Sequence, residues 1–242
     1  MNYRDILYRD YSSHFGGMKA HDARVQFAQY AATYLALPER GTAVLDIGCG
    51  KGEWLAWMAE QGFDSLTGVD GSVSDLEMAR GHGPAKAAWV NEDGIAFLEK
   101  NPRGFALIHA KDVIEHLTKE EFIRFLLAAR AALKEGGRLW LMTFNAQSPM
   151  ASATRYGDFT HETGYTPASL AQCLRACGFG TVAVSGRHYC SLSPGGRARW
   201  MLGRCFYALA RRVLRLRHGA GAATAGVDLH TALPDLFAEA RA

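Results

Sequence analysis

Apolar, β-branched runs alternate with helical patterns along the middle of the chain. The apolar runs lie at 43–47, 66–70, 87–90, 105–109 and 138–144. Between them, apolar residues recur at helical spacing near 53–61, 74–80, 94–100 and 118–134. This alternation predicts βαβ units around a parallel sheet and therefore an α/β fold.

The two ends of the chain follow other patterns. Residues 3–37 have a mostly apolar helical face and precede Pro38, which predicts an N-terminal helical cap over 1–40. The α/β domain would then span 41–242. After Thr143 the pattern predicts a polar loop at 145–166, a helix at 167–177 and a strand at 181–185. A basic segment at 187–217, a Gly/Ala-rich loop at 219–226 and a last strand at 235–240 follow.

Composition narrows the class of protein further. Of 242 residues, 48% are hydrophobic and 21% charged, which excludes a wholly disordered chain, a collagen and a disulfide scaffold. The five cysteines form no CxxC pair, so neither a zinc site nor a disulfide framework is expected, and a reducing cytoplasm fits. No apolar signal-peptide core opens the sequence and no run of 18 apolar residues occurs, so we expect no membrane span.

Charge is concentrated in one segment. The net charge is +3, yet residues 187–217 hold eight Arg and no Lys, Asp or Glu, which leaves −5 on the remainder. Taken as a helix, 197–217 has an apolar face, an Arg face opposite it, and Trp200 and Tyr207 at a flank. A helix of this kind predicts peripheral contact with anionic lipids at the inner face of the cytoplasmic membrane. The alternatives are docking of the apolar face on the domain or in an oligomer; nucleic acid is a weaker reading, because no base-stacking aromatics spread over a groove.

The most specific motif is a glycine-rich loop after the first predicted strand. Asp46 precedes Gly48, Gly50 and Gly52 in the pattern DxGxGxG, which differs from the dinucleotide fingerprint GxGxxG. Glycines let the backbone approach a ligand closely. A carboxylate before them suits a ligand with a positive group, although a tight strand–helix turn is the alternative.

Acidic residues also end the next two predicted strands. Asp70 follows the second strand, where it can bind ribose hydroxyls. Asp93-Gly94 follows the third, where a carboxylate can accept from the exocyclic amine of adenine. Acids at all three strand ends describe a nucleoside that carries an amino acid, namely S-adenosylmethionine.

These motifs resemble those of class I S-adenosylmethionine-dependent methyltransferases. VLDIGCGKGEW is similar to their first motif, GVDGS to the acidic second motif and NEDGIAFL to the adenine-contacting motif. The resemblance implies a Rossmann-like fold with a seven-stranded, mostly parallel sheet whose last strand is antiparallel. It also implies a cofactor site formed by Asp46, Gly48, Cys49, Gly50, Trp54, Asp70, Gly71, Asp93, Gly94 and Lys111.

A narrower resemblance concerns the acceptor. GCGKGEWL, DVIEHL and the Asp158–His161 segment are similar to motifs of bacterial methyltransferases of O-antigen, capsule and other polysaccharide pathways, with Lys51 and Phe159 departing from the usual residues. It implies methylation of a sugar hydroxyl on a surface glycan, a lipopolysaccharide or a lipid-linked precursor. The alternatives are a quinone or polyketide hydroxyl, an RNA ribose 2′-hydroxyl, or a binding module without catalysis.

Histidines and carboxylates follow the fourth and fifth predicted strands. A hydroxyl acceptor loses its proton as it attacks, so we expect a base: His161 first, His116 second, with Asp158 orienting either ring. A second reading is a divalent-metal site for Mg²⁺ or Mn²⁺ formed by Asp112, Glu115, His116 and His161, a set resembling the metal ligands of small-RNA 2′-O-methyltransferases. In a third reading these residues only cap a helix and hold a loop.

Overall fold

The computed structural model describes residues 3–7, 26–28, 37–188, 193–219 and 226–242. It contains one seven-stranded sheet in the order β3-β2-β1-β4-β5-β7-β6. The strands are β1 (Val44–Ile47), β2 (Leu66–Asp70), β3 (Ala88–Asn91), β4 (Phe105–Lys111), β5 (Leu133–Phe144), β6 (Thr181–Arg187) and β7 (Asp235–Arg241). Strand β7 is antiparallel to both neighbours, and the pairs among β1 to β5 are parallel. The predicted fold is confirmed.

Helices connect the strands and cover both faces of the sheet. They are α1 (Tyr3–Leu7), α2 (Glu53–Glu60), α3 (Val73–His82), α4 (Gly94–Lys100), α5 (Lys119–Ala132), α6 (Ala151–Gly157), α7 (Pro167–Ala176) and α8 (Pro194–His218). Local sequence explains where several begin. Thr118 and Glu121 form a capping box at the start of α5, and Thr166 caps α7 ahead of Pro167.

The core lies in two layers because side chains alternate along each strand. Leu45 and Ile47 of β1 pack with residues of α4, α5 and α7 on one face. Val44 packs with Trp54 and Leu55 of α2 on the other. Antiparallel β7 begins at the edge where the parallel strands end, so Asp235 pairs with Phe144 and Arg187 there. Loops from most of the sheet therefore converge on one edge.

Three predicted boundaries differ from the structure. The segment 145–166 contains the short helix α6, and Asn145 and Tyr165 close it through an isolated bridge. Helix α5 ends at Ala132, because Leu133 already belongs to β5. Within 3–37 the described residues are helical at Tyr3–Leu7 and 26–28. The rest of that predicted helix, and residues 220–225 of the Gly/Ala-rich loop, lie outside the described residues.

The basic segment forms α8, inserted between β6 and β7. The alternative in which its apolar face docks on its own domain is wrong. Its inner side is instead the flank with the half-buried Trp200, Gly203 and Tyr207, whereas Leu202 and Leu209 are 73% and 62% exposed. Gly203 permits this close approach, since a Cβ there would lie 2.8 Å from the His188 ring. Across the described residues, no helix is long and apolar enough to cross a membrane.

Candidate active site

The glycine loop turns sharply between β1 and α2. Gly48, Gly50 and Gly52 have φ of 67°, 48° and 80°, a region that favours glycine. A Cβ on Gly48 would lie 2.4 Å from Cγ2 of Val113. The loop backbone is therefore exposed to a ligand at the end of β1, where open α/β sheets bind nucleotides.

Asp70 ties this loop to the end of β2. One carboxylate oxygen accepts from the Gly50 amide at 2.8 Å, and the other accepts from the Ser72 amide at 2.7 Å. Burial raises the pKa of Asp70, and these two amides oppose the rise. Asp70, which the sequence predicts to bind the ribose, therefore also holds the glycine loop in its shape.

Asp93, Gly94 and Gly71 occupy the neighbouring strand ends. The Asp93 side chain is exposed and caps α4, accepting from the Ala96 amide at 2.9 Å. Gly94 lies against Ile47, whose Cγ2 would be 2.6 Å from a Cβ at that position. Gly71 is exposed with open space around it.

Sequence reasoning missed His109. Its Nδ1 donates to the Asp46 carboxylate at 2.7 Å, and both side chains are buried. The ring stacks on Trp54, with centroids 3.9 Å apart. Register explains the pair, because Asp46 and His109 are partners across β1 and β4. The sequence signal that could have indicated His109 was its polar side chain among the apolar residues of β4.

A cavity opens beside this pair, at the carboxyl ends of β1 and β4. The structure brings six of the predicted cofactor residues to its wall, together with residues that the sequence did not indicate. Its lining comprises Asp46, Gly48, Cys49, Gly50, Trp54 and Lys111, with Gln26, Phe27, Glu53 and His109. Burial raises the pKa of the Cys49 thiol, so the cysteine is a neutral wall residue.

Charged side chains meet where β4 and β7 reach the same edge. Lys111 forms an ion pair with Asp112, whose φ of 54° is rare for a residue other than glycine. Burial would lower the pKa of Lys111, but Asp112 and then Asp235 outweigh it and the pKa is raised. Burial raises the pKa of Asp235 to about 7, and the nearby Asp112 carboxylate adds to that rise.

A hydrogen-bond relay fixes His116. The Asp158 carboxylate accepts from the Thr160 hydroxyl at 2.7 Å and from the Thr160 amide at 2.8 Å. Because the Thr160 hydroxyl donates its single proton to Asp158, it accepts from Nδ1 of His116, 2.9 Å away. Asp158 thus orients His116 through Thr160. Burial and the neighbouring His161 lower the pKa of His116 to about 4, which keeps its Nε2 unprotonated.

His161 is oriented by a different partner. Its Nδ1 donates to the Thr154 carbonyl at 3.0 Å. The two imidazoles lie 4.8 Å apart, and Phe144 packs beside His161 at 5.4 Å. The distance from Oδ2 of Asp158 to Nε2 of His161 is 3.9 Å, which is longer than a hydrogen bond.

Three of the four predicted metal ligands come together. One donor atom each from Glu115, His116 and His161 lies within 4.8 Å of the others. Glu115 is buried, accepts from the Thr143 hydroxyl at 3.0 Å, and has its pKa raised by burial and by Asp112. Asp112 is not in this group, because its carboxylate pairs with Lys111.

Strand order, glycine loop and acidic strand ends define an S-adenosylmethionine-dependent methyltransferase. The chain belongs to the family described as "Methyltransferase domain", whose model matches residues 20–184. This agrees with the cofactor that the motifs predict, and it supports a methyltransferase enzyme over the alternative of a binding module without catalysis.

Known proteins resemble the chain at modest identity. A ubiquinone biosynthesis O-methyltransferase from Idiomarina loihiensis is 27% identical over 60% of this chain and 65% of its own length. One from Coxiella burnetii is 28% identical over 62% and 68%. Among solved structures, a methyltransferase from Archaeoglobus fulgidus covers both chains completely with a TM-score of 0.69 and 20% identity. A phosphoethanolamine N-methyltransferase from Haemonchus contortus, bound to S-adenosylhomocysteine, has a TM-score of 0.60 over all of this chain and 60% of that one, at 17% identity.

Proposed function

We propose that this methyltransferase transfers the methyl group of S-adenosylmethionine to a hydroxyl oxygen of a small acceptor. The observation that carries the proposal is the pair of imidazoles, His116 and His161, whose Nδ1 atoms hydrogen-bond to protein acceptors and whose ring centroids lie 4.8 Å apart. An acceptor hydroxyl must lose its proton as its oxygen attacks the methyl group, so it needs a base nearby. The methyl donor needs no base.

The cofactor lies along the carboxyl ends of β1 to β4. Asp70 binds the ribose, the Asp93–Gly94 turn faces the adenine, and the cavity lined by Asp46 and Trp54 holds the methionine portion. The remaining predicted cofactor residues complete this path: Gly48, Cys49, Gly50, Gly71 and Lys111.

The acceptor enters from the loop that carries His161. As its oxygen attacks the methyl in line, the bond from methyl to sulfur breaks and the electron pair stays on sulfur, giving neutral S-adenosylhomocysteine. The hydroxyl proton passes to Nε2 of His161 and then to solvent. A base positioned in this way contributes about 10²–10⁴-fold to the rate.

A metal-assisted variant has its own support in the cluster of Glu115, His116 and His161. One carboxylate and two imidazole nitrogens fit Mn²⁺ and, less well, Mg²⁺, and each imidazole has the second hydrogen bond that ligating histidines usually make. When bound, the cation would lower the pKa of an acceptor hydroxyl. Nε2 of His161 would then serve as a ligand and not as the base.

Within the predicted N-terminal cap 1–40, ahead of the proposed catalytic domain 41–242, the described helix α1 contacts the loops that border this site. Tyr3 hydrogen-bonds Glu162, next to His161, and its ring meets Phe159 edge-on at 6.0 Å. Arg4 binds the Glu121 carboxylate through two nitrogens and the His116 carbonyl at 2.8 Å. Helix α1 is thereby fastened to both histidine-bearing loops.

Two acceptor classes compete. The loop motifs favour a sugar hydroxyl of a glycan or lipid-linked precursor, whereas the similarity to ubiquinone biosynthesis O-methyltransferases favours a hydroxyl of a quinone precursor. Incubation with labelled S-adenosylmethionine and panels of nucleotide- or lipid-linked sugars, catechols and RNA would decide. Methyl transfer to a sugar or a catechol, in a base-stable ether linkage, supports the proposal, whereas transfer to RNA alone would contradict a small acceptor. A methylated nitrogen or carbon as the sole product refutes O-transfer.

A further inference from the structure

Helix α8 is attached to the β6–β7 end of the sheet. Strand β6 ends at the carboxyl edge of the sheet, where Arg187 pairs with Asp235 of β7, and α8 begins at Pro194. On its inner side, Trp200 donates to the His188 carbonyl at 3.3 Å, and Arg211 binds Asp228 at 3.1 Å. The helix is therefore fastened to residues that follow β6 and precede β7.

An apolar stripe on α8 remains exposed to solvent. Its five residues recur at alternating spacings of four and three, so they lie on one face along most of the helix. They are Leu202, Phe206, Leu209, Val213 and Leu216, exposed by 73%, 47%, 62%, 57% and 86%. Single exposed apolar residues are ordinary, but a contiguous stripe of this length indicates a surface that is covered in use.

Arginines border the stripe on both sides. The helix holds seven, and it has no Asp, Glu or Lys among its 25 residues. Arg199 and Arg217 lie beyond one edge of the stripe, and Arg212 lies beyond the other. Their long stems can cover apolar surface while the guanidinium groups reach toward anions.

The charge pattern identifies what covers the stripe. The four-and-three spacing would also suit a coiled coil with a second copy, yet in the parallel register Arg212 would face Arg217 of that copy, and no carboxylate on the helix could compensate. Nucleic acid would satisfy the arginines and leave the apolar stripe in water. An anionic lipid leaflet accepts both at once: apolar side chains enter the acyl boundary and guanidinium groups bind the headgroups.

We propose that α8 lies in the surface of an anionic membrane, with the 202–216 stripe inserted and the bordering Arg199, Arg212 and Arg217 on the phosphates. The seven arginines of α8 leave −4 on the rest of the chain, so the leaflet attracts the helix and repels the body. The inference holds whichever acceptor the enzyme methylates, so failure of vesicle binding would leave the proposed O-methyl transfer untouched.

Vesicle sedimentation of the full chain tests the inference. We expect binding to vesicles of phosphatidylcholine with about a third phosphatidylglycerol, little binding to phosphatidylcholine alone, and release by high salt. The double variant L209E/V213E should bind at least about tenfold more weakly, because two charges would enter the acyl boundary. The matched control is Leu127→Glu on α5, which is 53% exposed and should bind like wild type.

Binding of S-adenosylhomocysteine by calorimetry should be equal in all three proteins, which verifies their fold. Three outcomes overturn the inference: no binding to anionic vesicles, equal binding by L209E/V213E, or equal loss in the Leu127→Glu control. A wild-type dimer in ultracentrifugation that L209E/V213E dissolves would assign the stripe to a second copy. RNA that binds as tightly to L209E/V213E as to wild type and displaces vesicles would assign the arginines to nucleic acid.

Discussion

His109 donates a buried hydrogen bond to Asp46 across strands β4 and β1, directly behind the cofactor cavity. Its ring also stacks on Trp54, so one side chain fixes both a carboxylate and an aromatic wall of that cavity. In the proposed site, the methionine end of the cofactor would therefore meet a surface that is positioned before binding. Positioning in advance reduces the free energy that binding spends on ordering side chains.

His109→Ala should weaken binding of S-adenosylmethionine and destabilise the fold. The change leaves a buried carboxylate without its donor, which costs about 1–3 kcal/mol. Calorimetry and urea unfolding measure the two effects. His109→Gln retains an N–H donor and should recover part of the affinity. An alanine variant that binds the cofactor like wild type would show that Asp46 needs no positioning.

Asp70→Ala should reduce cofactor affinity by about 1–3 kcal/mol. The carboxylate would be lost both as an acceptor for ribose hydroxyls and as an acceptor for the Gly50 and Ser72 amides. Calorimetric titration with S-adenosylmethionine checks it. Asp93→Ser is the comparison, because serine can still cap α4; a smaller loss is expected there. Equal affinity of wild type and Asp70→Ala would contradict the assignment of the ribose site.

His161→Ala should lower kcat by about 10²-fold or more and barely change cofactor affinity. His161 lies on the acceptor side of the site, away from the acidic strand ends. Excess EDTA separates its two proposed roles. Loss of wild-type activity with EDTA, and recovery with Mg²⁺ or Mn²⁺, would place a cation between Glu115, His116 and His161. Activity indifferent to EDTA would identify His161 as the base.

Full activity of His161→Ala on the true acceptor would remove both roles.

Thr160→Val offers a separate test of the relay, since it deprives His116 of its Nδ1 acceptor. Thr160→Ser keeps the hydroxyl and should restore turnover. A valine variant as active as the serine variant would mean that the relay has no part in catalysis.

His116 should make the fold less stable as the pH falls from about 6.5 to about 4. Its folded pKa of about 4 lies below the ordinary 6.5, so the unfolded chain binds the proton more readily in that interval. Between pH 7.5 and pH 5 the loss amounts to about 2 kcal/mol. Urea unfolding at both values, with EDTA present, should show a smaller loss for His116→Gln. Equal losses would mean that His116 titrates normally in the fold.

The class of fold and the cofactor could both be predicted from the sequence. Strand and helix periods differ, so the alternation along 43–144 could be recognised without tertiary contacts, and Asp46, Asp70 and Asp93 lie at or near strand ends that must share one edge. The antiparallel last strand came from the family resemblance. The short helix α6 was missed because its residues, Ala151–Gly157, have no buried face and thus no apolar period.

Only the tertiary structure decided which side chains meet. His109 finds Asp46 through strand register, and Asp158 reaches His116 through Thr160, neither of which any spacing along the chain encodes. The same holds for α8. Its periodicity identified an apolar stripe, but whether that stripe packs or remains exposed depends on which flank fits the domain. Gly203 and the rings of Trp200 and Tyr207 fit against His188, and this contact turns the stripe outward.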